Sequence, residues 1–338
     1  MPLPPKLVRR LVIAPLVVIL AVAVVMVMPI GVAAAAFASR FVPGRWRPLR
    51  LLWFFFVYLM LEVIVLAALL GLWIGTGFGW RIRAERSQAW HYALTAWFLR
   101  RIMGSARRTF HLSLDTVGKP LDLRDRPHLL FARHAGPGDS LILVDLAMNT
   151  AHRRPRIVLK DILQFEPAFD VLLNRVPNRF VPHGPEARQA TIDAIAVLAG
   201  TAGPLDALVL FPEGANFTPK RRERAIAKLD ERGRADLADR ARDLQHLLPP
   251  RAAGALAAID AAPTADIVFV GHAGLEELST IGDVWRGLPM DFDVRVRSWV
   301  VRAEDVPPAG QREAWLFDQW ATIDAWLIEQ MADTNATT

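Results

Sequence analysis

The sequence predicts an α/β protein: a central, mostly β-sheet flanked by helices, preceded by a pair of N-terminal membrane helices. Three observations predict it. From about residue 110 onward, short apolar stretches alternate with helical patterns, the signature of strands sandwiched between helices. Before them lie two uncharged apolar runs, Leu11 to Ser39 and Leu51 to Trp80, the second broken only by Glu62. Charge divides at the same place. Residues 1–110 hold fourteen Lys and Arg against two acids, or +12, which leaves −6 for the rest of a chain whose net charge is +6. The 338 residues suffice for one large or two ordinary domains. The absence of cysteine excludes a disulfide framework, a thiol nucleophile and Cys-based metal ligation.

Each apolar run exceeds the roughly 20 residues that cross a bilayer core as helix. A secretory signal fits the first run poorly: Lys6, Arg9 and Arg10 precede it, but its apolar stretch is too long for cleavage-signal hydrophobicity. Basic clusters lie before, between and after the runs, so two full crossings place one cluster against the positive-inside rule. A re-entrant hairpin bent near Pro15 or Pro29 keeps all of them cytoplasmic. Both topologies stand, with the α/β part expected on the cytoplasmic face. Trp46, Trp53, Trp73 and Trp80 sit near the run ends, where indoles favour the lipid boundary. Residues 1–80 are therefore a membrane-embedded segment. Residues 81–110 read as an interfacial amphipathic helix, with Trp90, Leu94, Trp97 and four arginines available for headgroups. An ordinary helix packed on a domain core has the same pattern.

Strands are expected at His128–Arg133, Ile157–Lys160, Arg179–Val181, Ala207–Phe211, Asp266–Val270 and Phe292–Val301. Helices are expected at Ser140–Asn149, Pro185–Ala199, Arg221–Leu248 with a break at Gly233, and Gln311–Met331. In the last, Leu316, Trp320, Ile323 and Leu327 share one face. The domain spans 111–331, and 332–338 are expected to be a disordered tail.

The richest segment is RHAGPGD at 133–139, where an apolar strand meets His134, a Gly-Pro-Gly loop and then Asp139. A carboxylate five residues after a histidine can fold back onto Nδ1–H, leaving Nε2 to take a proton: the base half of a triad without its serine. Gly136 and Gly138 allow close approach to backbone N–H groups, an expected oxyanion site. Lys160 ends a strand, from which its ammonium can face an anion. Glu213 and Gly214 occupy a turn after another strand, and Arg251 follows Pro249 and Pro250 in a third polar turn.

These blocks, in this order, resemble the glycerophospholipid acyltransferase family, typified by 1-acyl-sn-glycerol-3-phosphate acyltransferases, over about residues 125–305. RHAGPGD is similar to its first motif, N-H-x-S-x-x-D, whose His and Asp are its catalytic pair. KDILQFEP at 160–167 resembles its Lys-x-x-Leu…Pro segment, FPEGANFT at 211–218 its F-P-E-G-T-R-F-T block, and LLPPRAAG at 247–254 its fourth motif. The resemblance implies acyl transfer from acyl-CoA or acyl carrier protein to a lysophospholipid hydroxyl at a membrane face, without a cofactor, a metal or a covalent acyl-enzyme. It makes 111–331 an acyltransferase domain with His134, Asp139 and Lys160 as catalytic residues. Gly136, Gly138, His183, Arg188, Glu213, Gly214, Asn216 and Arg251 are then the substrate-binding set.

Departures bear on the acceptor. Arg133 and Gly136 replace the family's Asn and Ser. His183 and Asn216 stand where its phosphate-binding arginines are found, and neither copies a bidentate guanidinium fork. A different lysolipid or polyol acceptor, or lipid binding without transfer, are the alternatives. A nucleic-acid partner is not expected: only the overall basicity suggests it, and the excess charge sits beside the membrane runs. The other histidines have no metal-ligand spacing.

Overall fold

The computed structural model describes residues 3–118, 123–136, 138–182, 184, 187–276, 281–291 and 293–336. Its strands are β1 Ser113–Val117, β2 His128–Ala132, β3 Arg154–Lys160, β4 Arg179–Val181, β5 Asp206–Leu210, β6 Asp266–Ala273 and β7 Asp293–Val301. Its long N-terminal helices are α1 Lys6–Ala38, α2 Arg47–Gly75 and α3 Glu85–Phe110. The shorter ones that follow are α4 Asp139–Asp145, α5 Pro167–Leu173, α6 Arg188–Gly200, α7 Pro219–Glu231, α8 Ala235–Asp243, α9 Ala252–Ala261 and α10 Ile281–Gly287, before the long α11 Arg312–Ala336. The α/β expectation holds: the strands form a seven-stranded sheet in the order β1-β7-β6-β2-β5-β3-β4. All pairings described are parallel except β6 with β7.

The chain divides into two compact units. One is built from the described residues of Met1–Leu112, Ile157–Ala187 and Trp285–Asp291; the other from Ser113–Arg156, Arg188–Val284 and Phe292–Thr338. In the first, α1 and α2 are long and apolar enough to cross a membrane, with mean hydropathies of 3.2 and 2.5. Arg9 and Arg10 tie the start of α1 to α5 through Asp170, Arg9 Nη2 lying 2.7 Å from its Oδ1. Helix α3 is amphipathic, but its apolar face is spent inside the unit: Phe98, Leu99, Ile102 and Met103 are buried while Arg100, Arg101, Arg107 and Arg108 point out. Trp90 on the same helix is exposed, and Leu94 and Trp97 are half-buried.

In the second unit, every residue of β2, β5 and β6 is buried. Strands covered on both faces read as continuous apolar runs, which is why these were recognisable. Register aligns Leu130 with Val209 on one side and Val268 on the other. The predicted stripe of α11 is buried, and Trp320 meets Phe269 of β6 with ring centroids 6.2 Å apart. Gly271 is tightly packed, since a Cβ there would stand 3.0 Å from Ile323 and 3.1 Å from Trp326. Gly233 separates α7 from α8 as expected. Helix α11 continues past Met331 to Ala336, into the segment expected to be a disordered tail, since no Gly or Pro stops it there.

Candidate active site

Within the second unit, the parallel strands β2, β5 and β6 deliver the polar loops at their carboxyl ends, where open α/β sheets place their sites. After β2 the chain turns at Gly138, whose φ of +97° favours glycine, and enters α4 at Asp139. The turn folds around that carboxylate. Asp139 Oδ2 accepts from His134 Nδ1 at 2.7 Å, Ala135 N–H at 2.9 Å and Gly136 N–H at 3.2 Å. Burial pushes the Asp139 carboxyl up, but the hydrogen bond and charge of His134, followed by His272 and the Gly136 amide, outweigh it and hold the group below the usual carboxylate range.

His134 is the accessible member of the pair, with a quarter of its side chain exposed against 1% for Asp139. Its ring lies on Phe211, centroids 4.7 Å apart. With Nδ1 committed to Asp139, Nε2 is the nitrogen left to exchange a proton.

Glu213 follows β5 and is buried. One carboxylate oxygen accepts from His134 N–H at 2.9 Å and the other from Leu248 N–H at 3.0 Å. Burial pushes its pKa up to about 7, against the opposing pull of the Arg133 charge and the two amides. Each oxygen thus holds one amide, and the Glu213 carboxylate joins three loops around the His134 turn. The Gly136 N–H is directed at Asp139 Oδ2. Gly138 remains exposed at the start of α4.

Gly214 has φ +68°, and the Arg251 guanidinium carbon and Nη1 lie 3.0 Å from where a Cβ would stand. The exposed Arg251 side chain therefore closes over a bare backbone, and its own N–H donates to the Pro212 carbonyl at 2.8 Å. Asn216 is half-buried, its carbonyl accepting from Arg221 Nη1 at 3.0 Å. Arg188 is exposed at the first position of α6. Lys160 is the exposed last residue of β3 and belongs to the first unit. His183 lies outside the described residues. Among the described residues no cluster of His, Asp and Glu is arranged to hold a metal ion.

Sequence reasoning missed what lies behind the pair. Arg133, 1% exposed, donates to the carbonyls of His272 at 2.6 Å and His246 at 3.3 Å and forms an ion pair with Glu276. His272 Nε2 is 3.9 Å from Asp139 Oδ2. Burial and then Arg133 push the His272 imidazole down to about 4, against the pull of Asp139, Glu276 and the Arg133 backbone, so it is neutral near pH 7. The available signal was position: both residues stand at the carboxyl ends of strands buried throughout their length.

No family model matches the chain, and no curated protein matches it. Among solved structures it is similar to the crystal structure of the 1-acyl-sn-glycerophosphate acyltransferase PlsC from Thermotoga maritima. The likeness covers 81% of this chain and 96% of that one, at 14% sequence identity and a TM-score of 0.49.

Proposed function

We propose that this chain is a membrane-associated acyltransferase that moves a fatty acyl group from acyl-CoA or acyl carrier protein to the hydroxyl of a lysophospholipid of the 1-acyl-sn-glycerol-3-phosphate class. The observation that carries the reading is the 2.7 Å contact between His134 Nδ1 and a buried Asp139, on a ring left partly open at the end of a central parallel strand. His134 Nε2 takes the acceptor proton as the hydroxyl oxygen attacks the thioester carbonyl. The tetrahedral intermediate collapses with loss of the donor thiolate, which recovers the proton from the imidazolium. Charge on the intermediate falls to backbone donors beside Gly138, and Arg251 and Arg188 are the basic side chains of this unit offered to an anionic acceptor. Lys160 is kept on its place in the sequence, as an exposed cation at a strand end. Helices α1 and α2 supply the membrane attachment, with the catalytic part on the cytoplasmic face.

The purified full chain, given acyl-CoA and a panel of lysolipids, is expected to release CoA only when an acceptor is present. His134→Ala is expected to lower kcat by about 10³-fold or more while leaving membrane association intact. Turnover within tenfold of wild type would remove His134 as the base. Lipid binding without any turnover in the wild type would favour a binding protein.

A further inference from the structure

The first unit carries a second polar feature. A cleft of about 330 Å³ lies between the start of α2 and the end of α3, lined by Trp46, Leu49, Arg50, Trp53, Arg108 and Thr109. Leu49, Arg50 and Trp53 lie on one face of the first turns of α2, and Trp46 stands just before them as the helix N-cap, with φ +68°. Trp46 and Trp53 are 54% and 50% exposed. Trp46 caps the start of α2 and Trp53 follows about two turns, or about 10 Å, along it, so the two indoles fall in the polar margin of a bilayer, the zone in which tryptophan concentrates.

The cations of this region divide into used and unused. Arg45 pairs with Asp291, and Arg47 donates to the carbonyls of Leu288 and Arg286. Arg50 donates through Nε to the Arg45 carbonyl at 2.8 Å and through Nη1 to the Thr109 carbonyl at 2.6 Å, which fixes the guanidinium against α3 and leaves Nη2. Arg108 is exposed, with no ion pair or hydrogen bond among the described residues. No acid lines the cleft. Two guanidinium groups without a carboxylate, flanked by two half-exposed indoles on an otherwise apolar helix, match an anion that carries hydrocarbon. A free phosphate would satisfy the arginines and leave the indoles unused.

We propose that this cleft binds the headgroup phosphate of an anionic phospholipid, with Arg108 and Arg50 Nη2 on the phosphate oxygens and Trp46 and Trp53 along the glycerol and upper acyl chains. The proposal rests on the membrane reading of α1 and α2 and is independent of acyl transfer.

Its test is native mass spectrometry of the full chain in neutral-detergent micelles, titrated with phosphatidylglycerol and with phosphatidylcholine of the same acyl chains. Phosphatidylglycerol is expected to bind preferentially. Arg108→Gln is expected to lower that binding about fivefold, as one interfacial arginine is worth; Arg107→Gln, the exposed neighbour that does not line the cleft, is expected to leave it unchanged. Both variants should melt with the wild type, since neither side chain is buried. Equal binding of the two lipids, or equal loss from the two variants, would overturn the site in favour of diffuse attraction. Full competition by sn-glycerol 3-phosphate would overturn it in favour of a small-anion site. A chain that stays monodisperse without detergent would remove the membrane reading itself, whereas an inactive chain that still passes the lipid test would remove only the acyltransferase reading.

Discussion

The loop after β2 and the turn after β5 each present a carboxylate that is 99% buried or nearly so, yet the two groups are driven in opposite directions. Asp139 sits in the same short loop as its donors: His134 Nδ1 and the amides of Ala135 and Gly136 converge on one oxygen, and Ser140 reaches the other. Glu213 has one backbone amide per oxygen, each delivered from a distant segment, and no side-chain donor. Burial raises both. Only at Asp139 do a hydrogen-bonded imidazole and its charge overcome it, so that carboxyl lies below its ordinary range while Glu213 lies near 7. Burial alone does not set the charge of a buried acid; the number and closeness of its donors do. The difference suits two tasks: a permanent anion that orients a base, and a clamp that holds the loops carrying it.

The sharpest way to break this contrast is Asp139→Asn, which keeps the shape and removes the anion. An amide at that position also turns an N–H group toward donors that need an acceptor and favours the wrong imidazole tautomer. We expect kcat to fall about 10³-fold with little change in KM. A loss under tenfold would show that the pair is not the working base.

Arg133→Met tests the surroundings the two carboxylates share. The methionine keeps much of the volume but strips the cation that opposes the rise of Glu213 and pairs with Glu276. Leaving those acids without it is expected to cost about 3 kcal/mol in denaturant unfolding. A neutral outcome would mean that the ion pair contributes nothing net.

Which parts of this arrangement were legible follows from how local each one is. His134 and Asp139 are five residues apart, so their contact is a property of one loop and could be read from it. Glu213 reaches His134 across 79 residues and Leu248 across 35, and Arg133 reaches Glu276 across 143. Nothing in FPEG states that its carboxylate faces inward. The same division runs through the fold. The buried strands β2, β5 and β6 announce themselves as apolar runs, whereas β1, SLDTV, lies at the end of the strand order, is half polar and resembles a loop. Helix α9, AAGALAAIDA, is nearly uniform in apolarity and so has little of the periodic contrast on which helix recognition depends.

Glu213→Gln sharpens the comparison most finely, because it isolates the term that differs between the two acids. A carboxyl whose folded pKa is near 7, against an ordinary value of 4.5, keeps its proton in the folded state over a range where the unfolded chain has lost it. Its contribution to stability is therefore fully present below about pH 4.5 and is lost as pH rises through 7. Between pH 5 and 8 this one group should take roughly 2 kcal/mol from the wild-type stability. Glutamine stays neutral throughout and, like the protonated acid, offers one good acceptor oxygen to the two facing amides. The variant should thus resemble the acid form of the wild type, with a flatter stability profile over that window, the two curves lying together near pH 5 and separating toward pH 8. Parallel curves would place the Glu213 carboxyl with Asp139 as a permanent anion, and the contrast between the two loops would be lost.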